Sequence, residues 1–403
     1  MRLIVVNDHG SVTGGAAQVA IASLNSLAEA GLDVTFVSSV GPIDNSIDTQ
    51  KVRVVNFDFD DLLGNTSMIM AAAHGIWDFR CAKRFGAVLD EYSSNDTIIH
   101  LHTWVKSLSS SVIFEALRRR FKVVVTLHDY FSVCPNGGFY NYTTQKHCLI
   151  APMTAACALT NCDQRSYSQK IWRFARHLVQ NNLGGMPKYI DGFISVSDYS
   201  EALLRPYLRP DTKFFRVQNP IDITQAPKPS ENKSNAFTFV GRLSPEKGAT
   251  LFARAAKRAN VKAVFVGQGI EGREVIKINP EAELLGWNDR LGVISHIRAS
   301  RAIVFPSQLH ETQGLVVTEA AALGIAAIVS DDCAARESII DGETGLLFRA
   351  GDIDDLMEKI TNLSSDPALA LRLGQTAYDQ YWADPSTLDK HVQALVKCYE
   401  EVL

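Results

Sequence analysis

The segment 237-FTFVGRLSPEKG-248 decides the fold class of this 403-residue chain. An apolar run rich in aromatic and β-branched residues ends at a glycine, which predicts a buried strand that turns into a helix. The same pattern predicts strands at residues 3–7, 33–38, 52–57, 97–102, 122–128, 192–197, 214–218, 237–241, 263–267, 282–286, 302–306, 326–330 and 345–348. Strands that alternate with helical segments are typical of parallel sheets, so we predict an α/β protein.

Two domains are predicted because the chain is longer than one hydrophobic core usually supports. The polar, proline-bearing segment 225–235 is typical of a linker. We therefore predict Rossmann-like domains over residues 1–222 and 236–384. A helix over residues 385–403 has no assigned packing, and a return to the N-terminal domain is one option. Ligands bind at the carboxyl ends of parallel strands, so two such domains facing each other predict a central cleft.

Composition narrows the class of protein. A content of 46% hydrophobic and 21% charged residues is that of a globular chain, which excludes disorder as the main state. The net charge of −4 lacks the basic excess expected of a protein that binds nucleic acid. The apolar run near Met1 is too short for a signal peptide, and we find no run that could span a bilayer. These features predict a cytoplasmic protein.

The turn after the strand at 237–241 carries two cations. Arg242 and Lys247 follow Gly241 and lie five residues apart. This pair suits a diphosphate, because Arg offers a planar pair of donors and Lys a compact charge. Together they would neutralise a leaving group as a sugar–phosphate bond breaks. A turn with ordinary solvated charges explains these residues equally well.

A second motif, 306-PSQLHETQGLVVTEAAALG-324, follows another predicted strand and enters a helix near Leu315. Gly314 would let a ligand approach the first backbone N–H groups of that helix, which form an anion site. Glu311 lies before this site and Glu319 lies within the helix. Carboxylates close to bound phosphate are suited to accept hydrogen bonds from sugar hydroxyls. The alternative for Glu319 is an exposed helix charge.

The order of these two motifs in the second of two Rossmann-like halves resembles the retaining glycosyltransferases of the GT-B fold. The resemblance is to the large fourth sequence family, the group 1 glycosyltransferases, and it covers nearly the whole chain. It implies that Arg242 and Lys247 bind the diphosphate of a nucleotide-sugar donor. It implies that the backbone N–H groups of Gly314, Leu315 and Val316 bind the same diphosphate.

The resemblance also assigns roles to residues around the sugar. Glu319 would bind the ribose hydroxyls, and Glu311 would bind the transferred sugar and hold it against the acceptor. The sequence 10-GSVTGGAAQV-19 resembles the family's glycine loop, so Gly14 and Gly15 would border the donor phosphate and the acceptor. His128 would lie beside the transferred sugar, although a lone histidine is more often a structural residue.

The family mechanism has consequences for cofactor and partners. Retention implies attack on the same face of the sugar, with the departing phosphate taking the acceptor proton, so neither a dedicated base nor a catalytic metal is expected. A UDP-sugar is the favoured donor and a GDP-sugar the alternative. The acceptor would be a glycan or a lipid-linked glycan in surface polysaccharide synthesis. A sugar-nucleotide epimerase and a non-catalytic sugar-nucleotide binding module are the alternative functions.

Two further sequence patterns resemble motifs of other enzyme classes. The glycines at 267, 269 and 272 satisfy the dinucleotide fingerprint of a dehydrogenase. That fingerprint normally follows the first strand of the chain, so we interpret Gly267 as part of the family's turn near the nucleotide base. Asp58 and Asp60 resemble the metal motif of another glycosyltransferase fold, but a solvated loop is the better interpretation.

Four cysteines lie in the insert 131–163, namely Cys134, Cys148, Cys157 and Cys162. They could form a structural zinc site that orders the insert, with free or transiently oxidised thiols as the alternative. Basic and aromatic residues occur together at 118–122 and 165–176. A solvated helix face is the simpler interpretation. The alternative is peripheral docking to the anionic inner face of the cytoplasmic membrane.

Overall fold

The computed structural model describes residues 1–62, 64, 67–231 and 234–403. The predicted linker 225–235 includes Asn232 and Lys233, which lie outside the described residues. By its internal contacts the chain divides into two compact units. The first contains Met1–Phe139, Cys148–Pro220 and Thr387–Leu403, and the second contains Tyr140–His147 and Ile221–Ser386.

The predicted strands are all present, together with one hairpin that sequence patterns missed. In chain order the strands are β1 (Arg2–His9), β2 (Asp33–Val40), β3 (Val52–Asn56), β4 (Thr97–Leu101), β5 (Lys122–Thr126), β6 (Tyr140–Asn141), β7 (Lys146–His147), β8 (Gly192–Ser195), β9 (Phe214–Arg216), β10 (Ala236–Val240), β11 (Lys262–Val266), β12 (Glu283–Gly286), β13 (Ala302–Phe305), β14 (Ala326–Ser330) and β15 (Leu346–Phe348). The α/β prediction is therefore confirmed.

The helices cover the sheets between these strands. They are α1 (Gly15–Glu29), α2 (Met68–Ile76), α3 (Phe79–Leu89), α4 (Ser111–Arg118), α5 (Ala155–Leu159), α6 (Tyr167–Asn182), α7 (Asp198–Leu204), α8 (Ala249–Arg258), α9 (Gly272–Ile278), α10 (Arg290–Arg298), α11 (Leu315–Ala322), α12 (Ile353–Ser365), α13 (Pro367–Ala383) and α14 (Leu388–Val402). None of the helices among the described residues has both the length and the apolarity to cross a bilayer.

The first unit is built on a seven-stranded parallel sheet in the order β3-β2-β1-β4-β5-β8-β9. Successive side chains of a strand point to opposite faces, so the apolar run of β1 buries both of its sides. Leu3 and Val5 pack in one cluster with residues of α1 and α14, whereas Ile4 and Val6 pack in another with residues of α3 and α4. The acidic pair at 58 and 60 is exposed in the loop after β3, which confirms a solvated loop.

The second unit has a six-stranded parallel sheet in the order β12-β11-β10-β13-β14-β15. The chain order reverses between β10 and β13, which is the position where open α/β sheets bind ligands. Phe237 and Phe239 pack with residues of α8 and α12 on one face, and Ile303 packs with residues of α11 on the other. The turns after β10 and β13 therefore lie next to each other at the carboxyl edge of this sheet.

Candidate functional site

The turn after β10 is packed closely against the turn after β11. Gly241 has φ 151°, a conformation that favours glycine. A Cβ atom on Gly267 would lie 2.0 Å from the carbonyl oxygen of Gly241, and one on Gly269 would lie 2.2 Å from that of Leu243. Gly272 would make only ordinary contacts, the nearest at 3.6 Å. The first two glycines of the dinucleotide-like pattern thus allow two turns to pack together.

A buried carboxylate of the same turn anchors Arg242. Glu246 is 1% exposed. Its Oε1 accepts hydrogen bonds from Arg242 Nη2 at 2.6 Å and from Ser244 Oγ at 2.9 Å. Because the Arg242 side chain is 64% exposed, its other N–H groups can reach a ligand. Sequence reasoning missed Glu246, although a glutamate four residues after an arginine is a recognisable pairing signal.

Lys247 and Glu311 join the turn after β10 to the loop after β13. Lys247 Nζ lies 2.6 Å from Glu311 Oε1, and Ser307 Oγ donates to the same oxygen at 2.6 Å. Glu311 is buried. An ammonium group has three donors, so Lys247 can bind a phosphate oxygen while it remains paired with Glu311. Lys247 is therefore not a freely solvated charge.

Gly314 allows the first turn of α11 to approach a neighbouring segment. A Cβ atom on Gly314 would lie 2.4 Å from the Cβ atom of Ala335, so any larger residue would displace the helix. The first turn of a helix provides no intrahelical acceptor for its N–H groups, here those of Leu315 and Val316. These donors lie at the positive end of the helix dipole, where an anion is stabilised.

Glu319 lies on the buried side of α11. It is 8% exposed, so the interpretation as an exposed helix charge is wrong. Burial raises the pKa of its carboxyl group, and Arg290 opposes this rise with Nη1 placed 2.9 Å from Oε1. Arg290 Nη2 also donates to the Asp222 carbonyl oxygen at 2.9 Å. Sequence reasoning missed Arg290, because no motif links α10 to a glutamate in α11.

The hairpin formed by β6 and β7 contacts the loop that carries Glu311. The rings of His147 and His310 stack with their centroids 3.6 Å apart. His147 Nδ1 also lies 2.8 Å from Asp332 Oδ2. Burial lowers the pKa of His310 to about 4, so its ring is neutral at physiological pH and can stack without charge repulsion. The hairpin therefore supports the residue that precedes Glu311.

In the first unit a row of histidines lies at the carboxyl ends of β4 and β5. His102 Nδ1 is 2.8 Å from His128 Nε2, and the buried His100 contacts Thr126 Oγ1 at 2.7 Å. Burial lowers the pKa of His128 to about 3. Its ring is therefore neutral at physiological pH, and it can form a hydrogen bond with a hydroxyl group without contributing charge.

The end of β1, which leads into the glycine loop, also holds the loop after β4 in place. The buried Asp8 accepts three consecutive backbone hydrogen bonds from residues 106–108 at 2.9 to 3.1 Å, which fixes the loop after β4. Gly14 caps α1 and Gly15 begins it. A Cβ atom on Gly14 would meet nothing within 4 Å, so a ligand has room to approach this backbone.

The four cysteines of the insert are unbridged, as are the other three of the chain. Cys134, Cys157 and Cys162 are buried and Cys148 is partly buried. The residue that sequence reasoning missed here is Lys170 of α6, which is 1% exposed. Its Nζ lies 3.3 Å from Cys157 Sγ.

The basic segment 165–176 contains two buried cations. Arg176 is buried, and its guanidinium lies 5.2 Å from the ring centre of Phe131 and 5.1 Å from that of Trp172. Lys170 is buried as well. The interpretation as a solvated helix face is therefore wrong for Lys170 and Arg176. Neither residue can belong to an exposed patch that docks to a membrane.

Two Rossmann-like units, the second with a cationic turn and buried glutamates at its switch point, define the class of GT-B glycosyltransferases. The chain belongs to glycosyltransferase family 4, the group 1 glycosyltransferases. The model described as Glycosyltransferase Family 4 matches residues 13–225, more than half of the chain, and the model described as Glycosyl transferases group 1 matches residues 221–380.

Curated relatives share partial similarity with this chain. An uncharacterised glycosyltransferase of Methanocaldococcus jannaschii is 30% identical over 178 residues, which cover 43% of this chain and 50% of the relative. The UDP-Gal:alpha-D-GlcNAc-diphosphoundecaprenol alpha-1,3-galactosyltransferase of Escherichia coli is 30% identical over 172 residues, covering 39% and 43%. A GDP-mannose-dependent alpha-mannosyltransferase of Mycobacterium tuberculosis is 35% identical over 117 residues, covering 29% and 30%. The chain thus spans half or less of the length of these relatives.

Solved structures share the fold over the whole chain. Sucrose-phosphate synthase from Thermosynechococcus elongatus superposes with a TM-score of 0.73 at 17% identity, covering 100% of this chain and 98% of its own. HepE from Anabaena, in complex with UDP-glucose, superposes with a TM-score of 0.67 at 16% identity, covering 100% of both chains. These similarities confirm the predicted GT-B fold.

Proposed function

We propose that this protein transfers a hexose from a nucleoside diphosphate sugar to a glycan or lipid-linked acceptor, with retention of the anomeric configuration. The observation that carries the proposal is the ion pair of Lys247 with the buried Glu311 at 2.6 Å, between the two turns of the switch point. In this proposal Lys247 would bind phosphate and the adjacent Glu311 would bind sugar hydroxyls, so the pair would lie where the bond between sugar and diphosphate breaks.

Donor binding would divide between charge and hydrogen bonds. Arg242, held by Glu246, and Lys247 would bind the diphosphate together with the N–H groups at the start of α11. Glu319 would accept hydrogen bonds from the ribose hydroxyls, and Arg290 would stabilise its ionised form. Glu311 would accept hydrogen bonds from hydroxyls of the transferred sugar.

The chemical step would depend on stabilising the leaving group. As the sugar–phosphate bond breaks, negative charge grows on the diphosphate, where both cations and the helix dipole stabilise it. The departing phosphate oxygen takes the proton of the acceptor hydroxyl, which attacks the same face of the sugar. His128, neutral because of its burial, would orient a sugar hydroxyl and would not act as a cation.

A UDP-sugar is the donor that we favour, and a GDP-sugar is the alternative. The Escherichia coli relative is named for UDP-Gal, and solved neighbours of the same fold were determined with UDP or UDP-glucose. The mycobacterial relative is named for GDP-mannose. The E. coli relative is also named for a diphosphoundecaprenol acceptor, which supports a lipid-linked acceptor and a role in surface polysaccharide synthesis.

Peripheral membrane association is part of this proposal. At the start of α2, Met68 and Ile69 are exposed, and so is Phe79 at the start of α3. Arg80 and Lys83 of α3 are exposed as well. Exposed apolar side chains next to cations suit the interface of an anionic bilayer, where a lipid-linked acceptor would be found.

Product analysis tests the reaction. Purified protein would be incubated with UDP- and GDP-hexoses and with polyprenyl-diphosphate-linked or free glycan acceptors, and NMR would give the anomeric configuration of the new linkage. A product with the donor's configuration is expected. An inverted product would contradict retention. Release of an epimerised sugar, or tight donor binding without turnover, would instead identify the epimerase or the binding module.

Vesicle sedimentation tests membrane association separately. We expect co-sedimentation with vesicles that contain phosphatidylglycerol, weakened by Ile69→Asp or Phe79→Asp. Leu291→Asp, at an exposed position of the second unit, should leave binding unchanged. Equal recovery with and without vesicles would contradict membrane association and leave the transferase proposal intact.

A further inference from the structure

Two loops of the second unit meet at the carboxyl edge of its sheet. Strands β13 and β14 are parallel neighbours, so the loops that follow them leave the sheet side by side. His310 lies in the first of these loops and Asp332 in the second. The hairpin of β6 and β7, which belongs to the same unit, adds His147. Three segments that are far apart in sequence thus bring two imidazoles and one carboxylate together.

The three side chains have the spacing of metal ligands. One ligand atom from each lies within 4.8 Å of the other two, and among the described residues this is the only set of three or more His, Cys, Asp or Glu side chains so arranged. His147 Nδ1 lies 2.8 Å from Asp332 Oδ2, and the rings of His147 and His310 are stacked. Two atoms bound to one ion at about 2.1 Å are at most about 4.2 Å apart. Small rotations of these side chains therefore suffice to surround one ion.

Protein groups satisfy the ring of His147 only in part. Its Nε2 atom is buried and has no hydrogen-bond partner among the described residues. Buried polar atoms are normally paired, and an unpaired one commonly marks a place for an ordered water or an ion. This ring therefore lies where a further ligand is expected.

The two loops are held in place by backbone contacts that do not involve the three side chains. The backbone N–H of Gln308 donates to the carbonyl oxygen of Glu246 at 2.9 Å. Asp331 donates its backbone N–H to the carbonyl oxygen of Phe348 at 2.9 Å, and its Oδ1 accepts from the N–H of Ala350 at 2.9 Å. The segments next to His310 and Asp332 are thus positioned before any ion binds, which favours metal affinity.

We propose that His147, His310 and Asp332 bind one zinc ion through one nitrogen of each imidazole and one carboxylate oxygen. Two imidazoles favour Zn²⁺ over Mg²⁺ or Ca²⁺, which prefer oxygen ligands. The Asp332 side chain is 49% exposed, so water can supply a fourth ligand. Glu311, next to His310, stays outside this set because it pairs with Lys247. The proposal goes beyond the proposed function and does not depend on it.

Bound zinc would join the hairpin of β6 and β7 to the loops after β13 and β14. The ion would fix His310 and therefore the start of the segment that carries Glu311. The unfolded chain does not hold the three ligands together, so zinc would stabilise the folded state by mass action.

Zinc binding by the full-length protein tests the proposal without any assay of sugar transfer. Metal-free protein, kept reduced with a phosphine, would be titrated with Zn²⁺ in a calorimeter, and the loaded sample would be measured by X-ray absorption. We expect one saturable site per chain with nitrogen and oxygen ligands at about 2.0 to 2.2 Å. Sulfur ligands at about 2.3 Å would place the ion at cysteines and overturn the proposal. Absence of saturable binding would overturn it as well.

Asp332→Asn tests the carboxylate ligand. The variant should fold, because this side chain is about half exposed. Its affinity for Zn²⁺ should fall by about 100-fold or more, since even groups outside the coordination sphere contribute about 10- to 100-fold. His296→Asn, at a histidine of the same unit outside the set, is the control and should bind Zn²⁺ as the wild type does. Equal affinity of Asp332→Asn and the wild type would contradict the assignment.

His147→Phe separates metal binding from ring stacking. The substitution keeps an aromatic ring that can stack on His310 and removes both ring nitrogens. The melting temperature of the wild type should rise when Zn²⁺ is added, whereas that of His147→Phe should not. An equal rise in both proteins would show that zinc binds elsewhere, and the proposed site would be wrong.

Discussion

Buried carboxylates distinguish the candidate site of the second unit from an ordinary charged surface. Three glutamates are each at most 8% exposed: Glu246, Glu311 and Glu319. Each forms an ion pair within the second unit, with Arg242, Lys247 and Arg290 respectively. Burying a charged pair is costly in folding free energy and gains little stability by itself. Such an arrangement is favoured where the charges serve ligand binding, so these pairs support the assignment of the site.

Lys247→Ala tests the proposed phosphate-binding role of Lys247. Because the ammonium group would stabilise charge on the leaving diphosphate, its loss should lower kcat/KM for the donor by about 100-fold to 1000-fold. The fold should persist with a lower melting temperature, because the substitution leaves the buried Glu311 without its cation. Steady-state kinetics and a thermal melt measure the two effects. Lys257→Ala in α8 is the matched control and should keep near-normal kinetics. Near-normal turnover in Lys247→Ala would remove Lys247 from the site.

Arg290→Met tests the partner of Glu319. The substitution leaves a buried carboxylate without its cation, so the free energy of unfolding at pH 7 should fall by about 1 to 3 kcal/mol. Burial already raises the pKa of Glu319, and loss of Arg290 raises it further. Protonation then removes the unpaired charge, so the deficit should shrink as the pH falls towards 5.

Urea unfolding at pH 7 and pH 5 measures this change. The double variant Arg290→Met with Glu319→Gln is the control, because it removes both charges and should recover much of the lost stability at pH 7. A deficit in Arg290→Met that is the same at both pH values would show that the carboxylate is not its cause.

At the scale of elements, the strands could be predicted and the hairpin could not. Strands such as β1 and β14 are continuous apolar runs, because both faces of a parallel sheet are buried, and this leaves a clear signal in the sequence. The hairpin formed by β6 and β7 has only two residues in each strand. Its position is set by the stacking of His147 on a residue far along the chain, which no local pattern records.

The glycines after β11 make the packing of two turns testable. Gly269→Ala would place a Cβ atom 2.2 Å from the Leu243 carbonyl oxygen, so one turn must move. We expect a loss of about 1 to 3 kcal/mol in the free energy of unfolding, as for other overpacked positions. Gly272→Ala, in the same pattern but with its nearest contact at 3.6 Å, should change stability by less than about 0.5 kcal/mol. Equal effects of the two substitutions would contradict this explanation of the pattern.

At the scale of the whole molecule, sequence motifs predicted the candidate site residues but not the residues that pair with them. Arg242, Lys247, Glu311 and Glu319 follow strands in recognisable motifs, so their edge of the sheet could be predicted. Their partners depend on distant contacts, as when α10 supplies an arginine to α11. The C-terminal helix is a further case. Tyr399 Oη lies 2.7 Å from Nδ1 of the buried His100, a contact between residues almost 300 positions apart that a sequence pattern cannot reveal.

Buried imidazoles should make the whole protein sensitive to acid. Burial lowers the pKa values of six histidines: His100, His102, His128, His177, His310 and His391. In the unfolded chain these rings take up protons near pH 6.5, whereas in the folded chain they stay neutral. The contribution of these neutral rings to the free energy of unfolding is therefore fully present above pH 6.5 and is lost as the pH falls towards 3 or 4. Burial also raises the pKa of Asp129 to about 6, so this group favours the folded state on acidification and offsets a part of the loss.

The loss of stability caused by a single buried ring can be estimated. For His177, with its pKa lowered to about 3, the cost at pH 5 is about 2 kcal/mol. The urea midpoint of the wild type should therefore fall clearly between pH 7 and pH 5. His177→Asn should show a smaller fall, because its side chain does not titrate, whereas His296→Asn, on the partly exposed side of α10, should behave as the wild type. Identical midpoints at pH 7 and pH 5 in the wild type would mean that these rings are hydrated in the folded protein, and the neutral, hydrogen-bonding role of His128 would lose its support.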